Sequence, residues 1–139
     1  MHMDIEFPYK DEESDIFGKI KRPRIKIKVF SEVTKDWEII DEVLADTGAD
    51  FSVLPRFLGG ILVNDITKGK YAEIKGVVPG VKLIAYLHKL KIKVVDNEFI
   101  AHVAIADSDD VPSIFGRIEG LDLFNAVFSK GETVKLSPE

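Results

Sequence analysis

The sequence predicts an all-β fold, with about eight short strands and one short helix near the C-terminus. Several segments alternate apolar and polar residues with a period of two, which is typical of half-buried strands. Glycine, proline, asparagine and aspartate separate these segments, as expected of turns. Helical spacing of apolar residues occurs at Leu121, Phe124 and Val127. Many short strands with one late helix indicate a β-barrel or a β-sandwich, not a parallel α/β sheet.

The predicted strands all lie C-terminal to Pro23. They span residues 24–31, 37–45, 51–54, 71–75, 81–87, 89–95, 98–106, 113–116 and 133–136. The glycine pair Gly59-Gly60 is expected to break the chain. Residues 1–22 lack a clear period and are expected to form an N-terminal arm or irregular extension, which leaves residues 23–139 as the domain.

The composition is that of a single globular domain. The chain has 139 residues, of which 45% are hydrophobic and 31% charged. The lack of cysteine excludes a disulfide framework, a thiol nucleophile and a cysteine-ligated metal. The apolar runs are shorter than the roughly 18 residues of a membrane span, and the acidic N-terminus does not resemble a signal peptide. We therefore expect a soluble, cytoplasmic protein with no membrane partner.

A basic run, KIKRPRIKIK at residues 19–28, stands out in a chain of net charge −5. Such a run can bind nucleic acid. Here the basic residues alternate with Ile25, Ile27 and Val29, which favours a strand with its apolar side inward and its cations solvated. No aromatic stacking platform accompanies the run. We therefore expect no nucleic-acid partner.

The acidic residue Asp46 directly follows one apolar run and precedes another. Burying a carboxylate in such surroundings costs free energy unless it is paired, hydrogen-bonded or used in the function. The histidines lack the spacing of metal ligands, so neither a metal nor another cofactor is expected; they are His2, His88 and His102. Ser52 has no histidine beside it and does not resemble a nucleophile elbow. Two interpretations remain: Asp46 caps its own turn, or it is a general acid–base carboxylate that needs a second group.

A longer pattern around Asp46 carries a family resemblance. The string Leu44-Ala45-Asp46-Thr47-Gly48-Ala49-Asp50, followed by Val53-Leu54-Pro55, resembles the active-site loop of retroviral-type aspartic peptidases (retropepsins). Ile114-Phe115-Gly116-Arg117 resembles the second conserved element of that family, and the hairpin centred on residues 76–80 lies where the family has its flap. The resemblance covers roughly residues 24–136.

The resemblance implies a closed acid-protease-like β-barrel that acts as a homodimeric endopeptidase on a peptide or protein substrate, without a cofactor. Asp46 would be catalytic and would face the same residue of a second subunit. Thr47 would donate a hydrogen bond to the partner loop, and Gly48 would let the backbone approach the substrate. Asp50 and Arg117 would form an ion pair that holds the loop, beside Gly116.

The resemblance also implies which residues cover the substrate and, through Ala49, the pH at which the protein works. The residues implied to cover the substrate are Gly76, Val77, Val78, Pro79 and Gly80. Proline and two valines make this tip stiffer than the glycine-rich flaps of retroviral members. Ala49 lacks the hydroxyl with which two-lobed pepsin-type relatives commonly hydrogen-bond the catalytic carboxylate, which implies a mildly acidic to neutral working pH.

The single occurrence of Asp-Thr-Gly in the chain also indicates a homodimer. Asp-Thr-Gly is found only at residues 46–48, and neither Asp41 nor Asp65 lies in a glycine-containing turn after an apolar strand. A second catalytic aspartate would therefore come from a two-fold mate. The terminal strand at residues 133–136 is expected to supply an exposed edge for pairing. The alternative is a retropepsin-fold peptide-binding or dimerisation module with little or no proteolytic activity.

Overall fold

A computed structural model describes residues 4–75 and 80–138 of the chain. Its strands are β1 (Ile5–Pro8), β2 (Lys10–Ser14), β3 (Gly18–Arg22), β4 (Arg24–Phe30), β5 (Trp37–Ala45), β6 (Ser52–Leu54), β7 (Lys70–Lys75), β8 (Lys82–Val94), β9 (Asn97–Ala106), β10 (Ile114–Phe115), β11 (Asn125–Ser129) and β12 (Thr133–Ser137). Helical segments are α1 (Arg56–Leu62) and the single 3₁₀ turns Ile66–Lys68 and Leu121–Leu123. Among these residues, no helix has the combination of length and apolar character that a membrane crossing requires.

Six strands close into a barrel. Their order is β4-β5-β10-β6-β9-β8, and β4 pairs again with β8 to complete the ring. The alternation seen in the sequence explains which face of β4 lines the interior: Ile25, Ile27 and Val29 are buried, while the cations between them face outward. The predicted all-β class and the closed barrel are confirmed, and the basic run forms solvated strand faces.

The predicted flap hairpin is present up to its tip. β7 pairs with β8 in antiparallel register, from Lys70 opposite Leu87 to Lys75 opposite Lys82, outside the closed ring. β8 then continues into the barrel and pairs with β9 along its remaining length. The flap residues 76–79 lie outside the described residues.

The expectation of irregular structure at the N-terminus is wrong for residues 5–22. β1 pairs with β12, and β2 and β3 form a hairpin. Neither strand of this hairpin contains a buried residue, so its sequence shows no apolar alternation. Ion pairs across the hairpin and to β4 contribute to its stability instead. Glu12 contacts both Arg22 and Arg24 through oxygen–nitrogen distances of 2.6 Å. The division at residue 22 stays a prediction.

The predicted C-terminal helix is wrong. Residues 121–123 form one 3₁₀ turn and the next residues form β11, because pairing with β12 satisfies the backbone there. The α-helix, α1, runs through the glycines that were expected to break the chain. A Cβ on Gly59 would overlap the side chain of Ile105, so glycine lets α1 lie close to β9.

The terminal strand is not an exposed edge, so that expectation is also wrong. β12 is the central strand of a three-stranded sheet with β1 on one side and β11 on the other. Val134 and Leu136 are fully buried, and they face Phe7 and Ile5 of β1. Both rows of β12 backbone groups face a neighbouring strand of this chain.

Candidate active site

Asp46 is positioned by two strands that are far apart in sequence. β5 pairs in parallel with β10, so that Leu44 lies opposite Ile114 and Ala45 opposite Phe115. The Asp46 N–H then donates to the Phe115 carbonyl over 3.1 Å. Because β10 also pairs with β6, the strands before and after the turn are tied to one short strand. These contacts fix the position of Asp46 directly after the C-terminal end of β5.

The turn itself is closed by its own aspartate. The Gly48 N–H donates to Asp46 Oδ1 over 2.9 Å, and the Ala49 N–H donates to the Asp46 carbonyl over 3.2 Å. Asp46 and Ala49 are half-buried, whereas Thr47 and Gly48 are exposed. The carboxylate is therefore oriented by a backbone amide while the tip of the turn remains open to a partner molecule.

A second loop lies against the first through the backbone. The Arg117 N–H donates to the Ala49 carbonyl over 2.9 Å, and the Ile118 N–H donates to the Asp50 carbonyl over 2.7 Å. A Cβ on Gly116 would overlap the Phe51 backbone, so only glycine permits this approach. The structure therefore brings together the two elements singled out in the sequence.

Ser52 is a contributor that sequence reasoning overlooked. Its hydroxyl accepts a hydrogen bond from the Gly116 N–H over 3.1 Å, and the pair is buried. A hydroxyl inside the apolar run Phe51 to Leu54 was the available signal, because a buried hydroxyl needs a partner. Ser52 joins the strand after Asp46 to the second loop.

The contact between Asp50 and Arg117 is weak. Arg117 Nη2 lies 4.0 Å from Asp50 Oδ1, and the side chains are 44% and 74% exposed, respectively. An exposed pair at this distance contributes at most about 1 kcal/mol. The backbone hydrogen bonds of the two loops, rather than this ion pair, hold them together.

Aromatic packing supports β10 from the barrel interior. The rings of Phe99, Phe115 and Phe124 contact one another in tilted and edge-to-face arrangements, with centroids 6.1 to 6.5 Å apart. Phe115 is fully buried. Because the Phe115 carbonyl accepts a hydrogen bond from the Asp46 N–H, this aromatic cluster helps to position the Asp46 turn.

An open groove of about 360 Å³ lies between the Asp46 loop and β7. It is lined by Gly48, Ala49, Asp50, Phe51, Val53, Glu73, Ile74, Lys75 and Ile114. Its middle is apolar, and Glu73 and Lys75 bring opposite charges from β7. Tyr71 and Lys82 donate to Glu73 and hold the pKa of its carboxyl below the ordinary value. The groove can take an extended chain with apolar side chains.

The flap is only partly described. Gly80 is exposed, with φ 85°, a left-handed conformation that glycine adopts without strain. The other predicted flap residues lie outside the described residues; they are Gly76, Val77, Val78 and Pro79. β7 leads from the groove directly into this segment.

The two described histidines make hydrogen bonds away from the groove. His88 Nε2 lies 2.7 Å from the Ile66 carbonyl, and His102 Nδ1 lies 3.0 Å from Glu119 Oε1. His102 also donates its N–H to Glu119, and these bonds lower the pKa of the Glu119 carboxyl. Within residues 4–75 and 80–138, no group of three potential ligand side chains could hold a metal ion.

The fold is similar to that of a solved aspartic protease. A retropepsin-like aspartic protease from Rickettsia conorii superimposes with a TM-score of 0.60 and 20% identity, over 99% of this chain and 95% of that chain. EIAV protease, solved with the inhibitor HBY-793, gives a TM-score of 0.47 and 22% identity, over 79% of this chain and 92% of that chain. No protein-family model and no curated protein matches the sequence. The chain has a retropepsin-like fold.

Proposed function

We propose that the chain is an aspartic endopeptidase that hydrolyses peptide bonds with water held between two Asp46 carboxylates, one from each subunit of a homodimer. The observation that carries the proposal is the setting of Asp46, a half-buried carboxylate beside an apolar groove in a retropepsin-like fold. The Rickettsia conorii protein with this fold is an aspartic protease, and the same chemistry fits the residues found here.

The chemistry requires two carboxyl groups in different protonation states. Two carboxylates a few ångströms apart cannot both be ionised readily, so the pair shares one proton. The ionised Asp46 accepts a proton from the water as the water oxygen bonds to the peptide carbonyl carbon. The protonated Asp46 donates its proton to the carbonyl oxygen. The Asp46 that took the proton from water then donates it to the amide nitrogen, while the other Asp46 takes a proton back from a hydroxyl of the tetrahedral intermediate. The carbon–nitrogen bond breaks to give an acid and an amine, without a covalent enzyme intermediate.

The second Asp46 would come from a second copy, because the Asp-Thr-Gly sequence occurs once in the chain. Thr47 is exposed at the tip of the turn, a place from which its hydroxyl could donate to the partner loop. Gly48 would approach the substrate backbone, while Asp50, Gly116 and Arg117 would support the turn.

The groove indicates the kind of substrate. Phe51, Val53 and Ile74 give it apolar walls, which favour peptides with apolar side chains next to the cleaved bond. We propose that the hairpin tip at residues 76–80 covers the bound peptide and excludes water, as closing segments do in many hydrolases. Ala49 supports a mildly acidic to neutral working pH.

Cleavage of a peptide library, read by mass spectrometry, tests the proposal. We expect cleavage that pepstatin inhibits and that falls roughly a thousandfold or more in Asp46→Asn, since an amide cannot accept the proton from water. Asp41→Asn is the matched control: this carboxylate lies on β5, the strand that leads into Asp46, but it is exposed and close to Lys26. It should cleave at the wild-type rate.

Two other outcomes have clear meanings. Cleavage by Asp46→Asn near the wild-type rate would contradict the mechanism. Binding of library peptides by the folded wild type without any cleavage would instead favour the peptide-binding module. Thermal denaturation should show Asp46→Asn at least as stable as the wild type, because the substitution removes repulsion between the paired carboxylates.

A further inference from the structure

The outer wall of the barrel has a face on which lysines and aromatic rings lie together. The wall consists of β5, β4, β8 and β9, which are neighbours in that order. We call the centre of its outer face the basic platform; it consists of Lys28, Phe30, Trp37, Lys91 and Lys93. None of these five residues lines the groove between the Asp46 loop and β7, so the platform is a separate surface.

The two aromatic rings of the platform hold two of its lysines in place. Phe30 and Trp37 lie opposite each other on β4 and β5, and their rings meet edge to face with centroids 5.6 Å apart. Lys91 Nζ lies 5.3 Å from the centroid of Phe30, and Lys93 Nζ lies 4.5 Å from the centroid of Trp37. Attraction between a cation and the face of a ring restrains each lysine. The two ammonium groups are therefore positioned before a ligand arrives.

The positive charges of the platform are not balanced by acids. Lys28 on β4 lies directly opposite Lys93 on β8, and like charges in opposing positions destabilise a sheet. Within residues 4–75 and 80–138, no carboxylate forms an ion pair with Lys28, Lys91 or Lys93. Glu98, opposite Lys93 on β9, borders the platform without pairing with it. An anionic ligand would relieve the repulsion among these lysines.

The spacing and the surroundings of the lysines indicate the kind of anion. Lys89, Lys91 and Lys93 alternate with buried residues on β8, so they recur about every 6.7 Å along the strand. This repeat is close to the distance between neighbouring phosphates in an extended nucleic-acid strand. Ile39 lies opposite Lys28 and Ile100 opposite Lys91, and these isoleucines are 57% and 63% exposed. They provide apolar surface that unpaired bases can cover.

We propose that the basic platform binds single-stranded nucleic acid, with phosphates on the lysines and bases against the rings and the flanking isoleucines. Proteins that bind single strands combine cations with aromatic side chains in this way. A duplex fits less well, because its bases are stacked inside and it offers mainly phosphates to a strand surface. The sequence led us to expect no nucleic-acid partner because aromatic residues did not accompany the basic run. Strand pairing brings Phe30 and Trp37 to the lysines, and the inference is independent of the proposed function.

Trp37 supplies a direct signal for binding, because it is the single tryptophan of the chain. Titration with a mixed-sequence single strand of about 20 nucleotides should quench its fluorescence as the strand covers the ring. With three phosphates contacted, raising the salt from about 50 to about 200 mM should weaken binding roughly twentyfold. The duplex of the same sequence should bind at least about fivefold more weakly than the single strand.

Substitution of Lys28 separates binding from folding. Lys28→Gln should weaken binding of the single strand at least about threefold, because one phosphate contact is lost. Its melting temperature should hold or rise, because the like charge opposite Lys93 is gone. Lys19→Gln is the matched control, since it removes the same charge from an exposed strand residue in the hairpin of β2 and β3. This control should bind the single strand as the wild type does.

Four results would overturn the inference. One is a wild type that leaves both Trp37 fluorescence and the anisotropy of a labelled single strand unchanged at low salt. Another is equal affinity for the duplex. A third is equal weakening by Lys28→Gln and Lys19→Gln, because a chain of net charge −5 should attract a polyanion only through a local cluster. The last is preference for vesicles of phosphatidylcholine and phosphatidylserine over the single strand, which would assign the platform to a membrane surface.

Discussion

Two aspartate turns in this molecule have almost the same local chemistry and very different surroundings. In the Asp46 turn, the Gly48 N–H donates to Asp46 Oδ1 over 2.9 Å. In the Asp65 turn, the Thr67 N–H donates to Asp65 Oδ1 over 3.0 Å. Each carboxylate therefore accepts from the backbone two residues further along the chain, a common arrangement of aspartate in turns.

The surroundings separate the two turns. Asp65 is exposed and caps a 3₁₀ turn, and the Thr67 hydroxyl donates a second bond over 2.7 Å. These bonds lower the pKa of the Asp65 carboxyl. Asp46 instead follows the buried Ala45 at the end of β5, is half-buried, and lies beside a second loop and a groove. A local turn motif thus accounts fully for Asp65 but not for the place of Asp46.

Mixing subunits should show the largest difference between the two aspartates. With a fourfold excess of Asp46→Asn chains under exchange conditions, activity per wild-type chain should fall about fivefold, because most wild-type chains then have an inactive partner. The same excess of Asp65→Asn chains should cause no loss. Peptide cleavage rates in the two mixtures measure this contrast.

The mixing experiment distinguishes an active site that needs Asp46 from both subunits from one that needs a single Asp46. Equal activity in both mixtures, after native mass spectrometry has verified heterodimers, would show that one Asp46 is sufficient. That result would contradict a mechanism that needs two Asp46 carboxylates.

Removing one hydroxyl near each turn should have a smaller but still unequal effect. Ser52→Ala leaves the buried Gly116 N–H without its acceptor, which should destabilise the fold by about 1 to 3 kcal/mol. The second loop should shift, and kcat/KM should fall between about tenfold and a hundredfold. Thr67→Val at the exposed turn should change the unfolding free energy by no more than about 0.5 kcal/mol.

Denaturant melts and peptide kinetics on the two variants test this contrast. If Ser52→Ala melts and cleaves as the wild type does, the bond from Gly116 to Ser52 does not position the loops. A large loss of activity in Thr67→Val would mean that the Asp65 turn takes part in the site.

The smallest expected effect is a change in the pH dependence of thermal stability when Asp65 is replaced. Its folded-state pKa is lowered below the ordinary value of 3.8, so its stabilising contribution is present above that pH and is lost as the pH falls through the folded-state pKa. Asp65→Asn should therefore melt slightly below the wild type near neutral pH, with the difference shrinking in acid. Thermal melts across the acid range measure it; a difference that stays constant with pH would contradict it.

Local chemistry let several features be predicted from the sequence. The alternation in residues 24–29 predicted a strand with isoleucine and valine inward, since a period of two needs only neighbouring residues. Asp46 was identified as a candidate because a carboxylate next to an apolar run is unfavourable unless it is paired, hydrogen-bonded or functional. Where the local pattern was weak or ambiguous, prediction failed. The hairpin of β2 and β3 has no buried face, and the spacing of Leu121 and Phe124 suited a helix although the backbone there turns into a strand.

The sequence by itself determined the all-β class, the strand segments of the barrel and the carboxylate that stands out. Tertiary structure alone decided which distant strands meet: the parallel pairing of β5 with β10, the bond from Gly116 to Ser52, and the central place of β12. It also decided that α1 continues through Gly59, where β9 leaves no space for a Cβ. The physical reason is the sequence separation over which each interaction acts. Periodicity and turn chemistry act over a few residues, whereas strand pairing and close backbone approach depend on segments that are far apart in the chain.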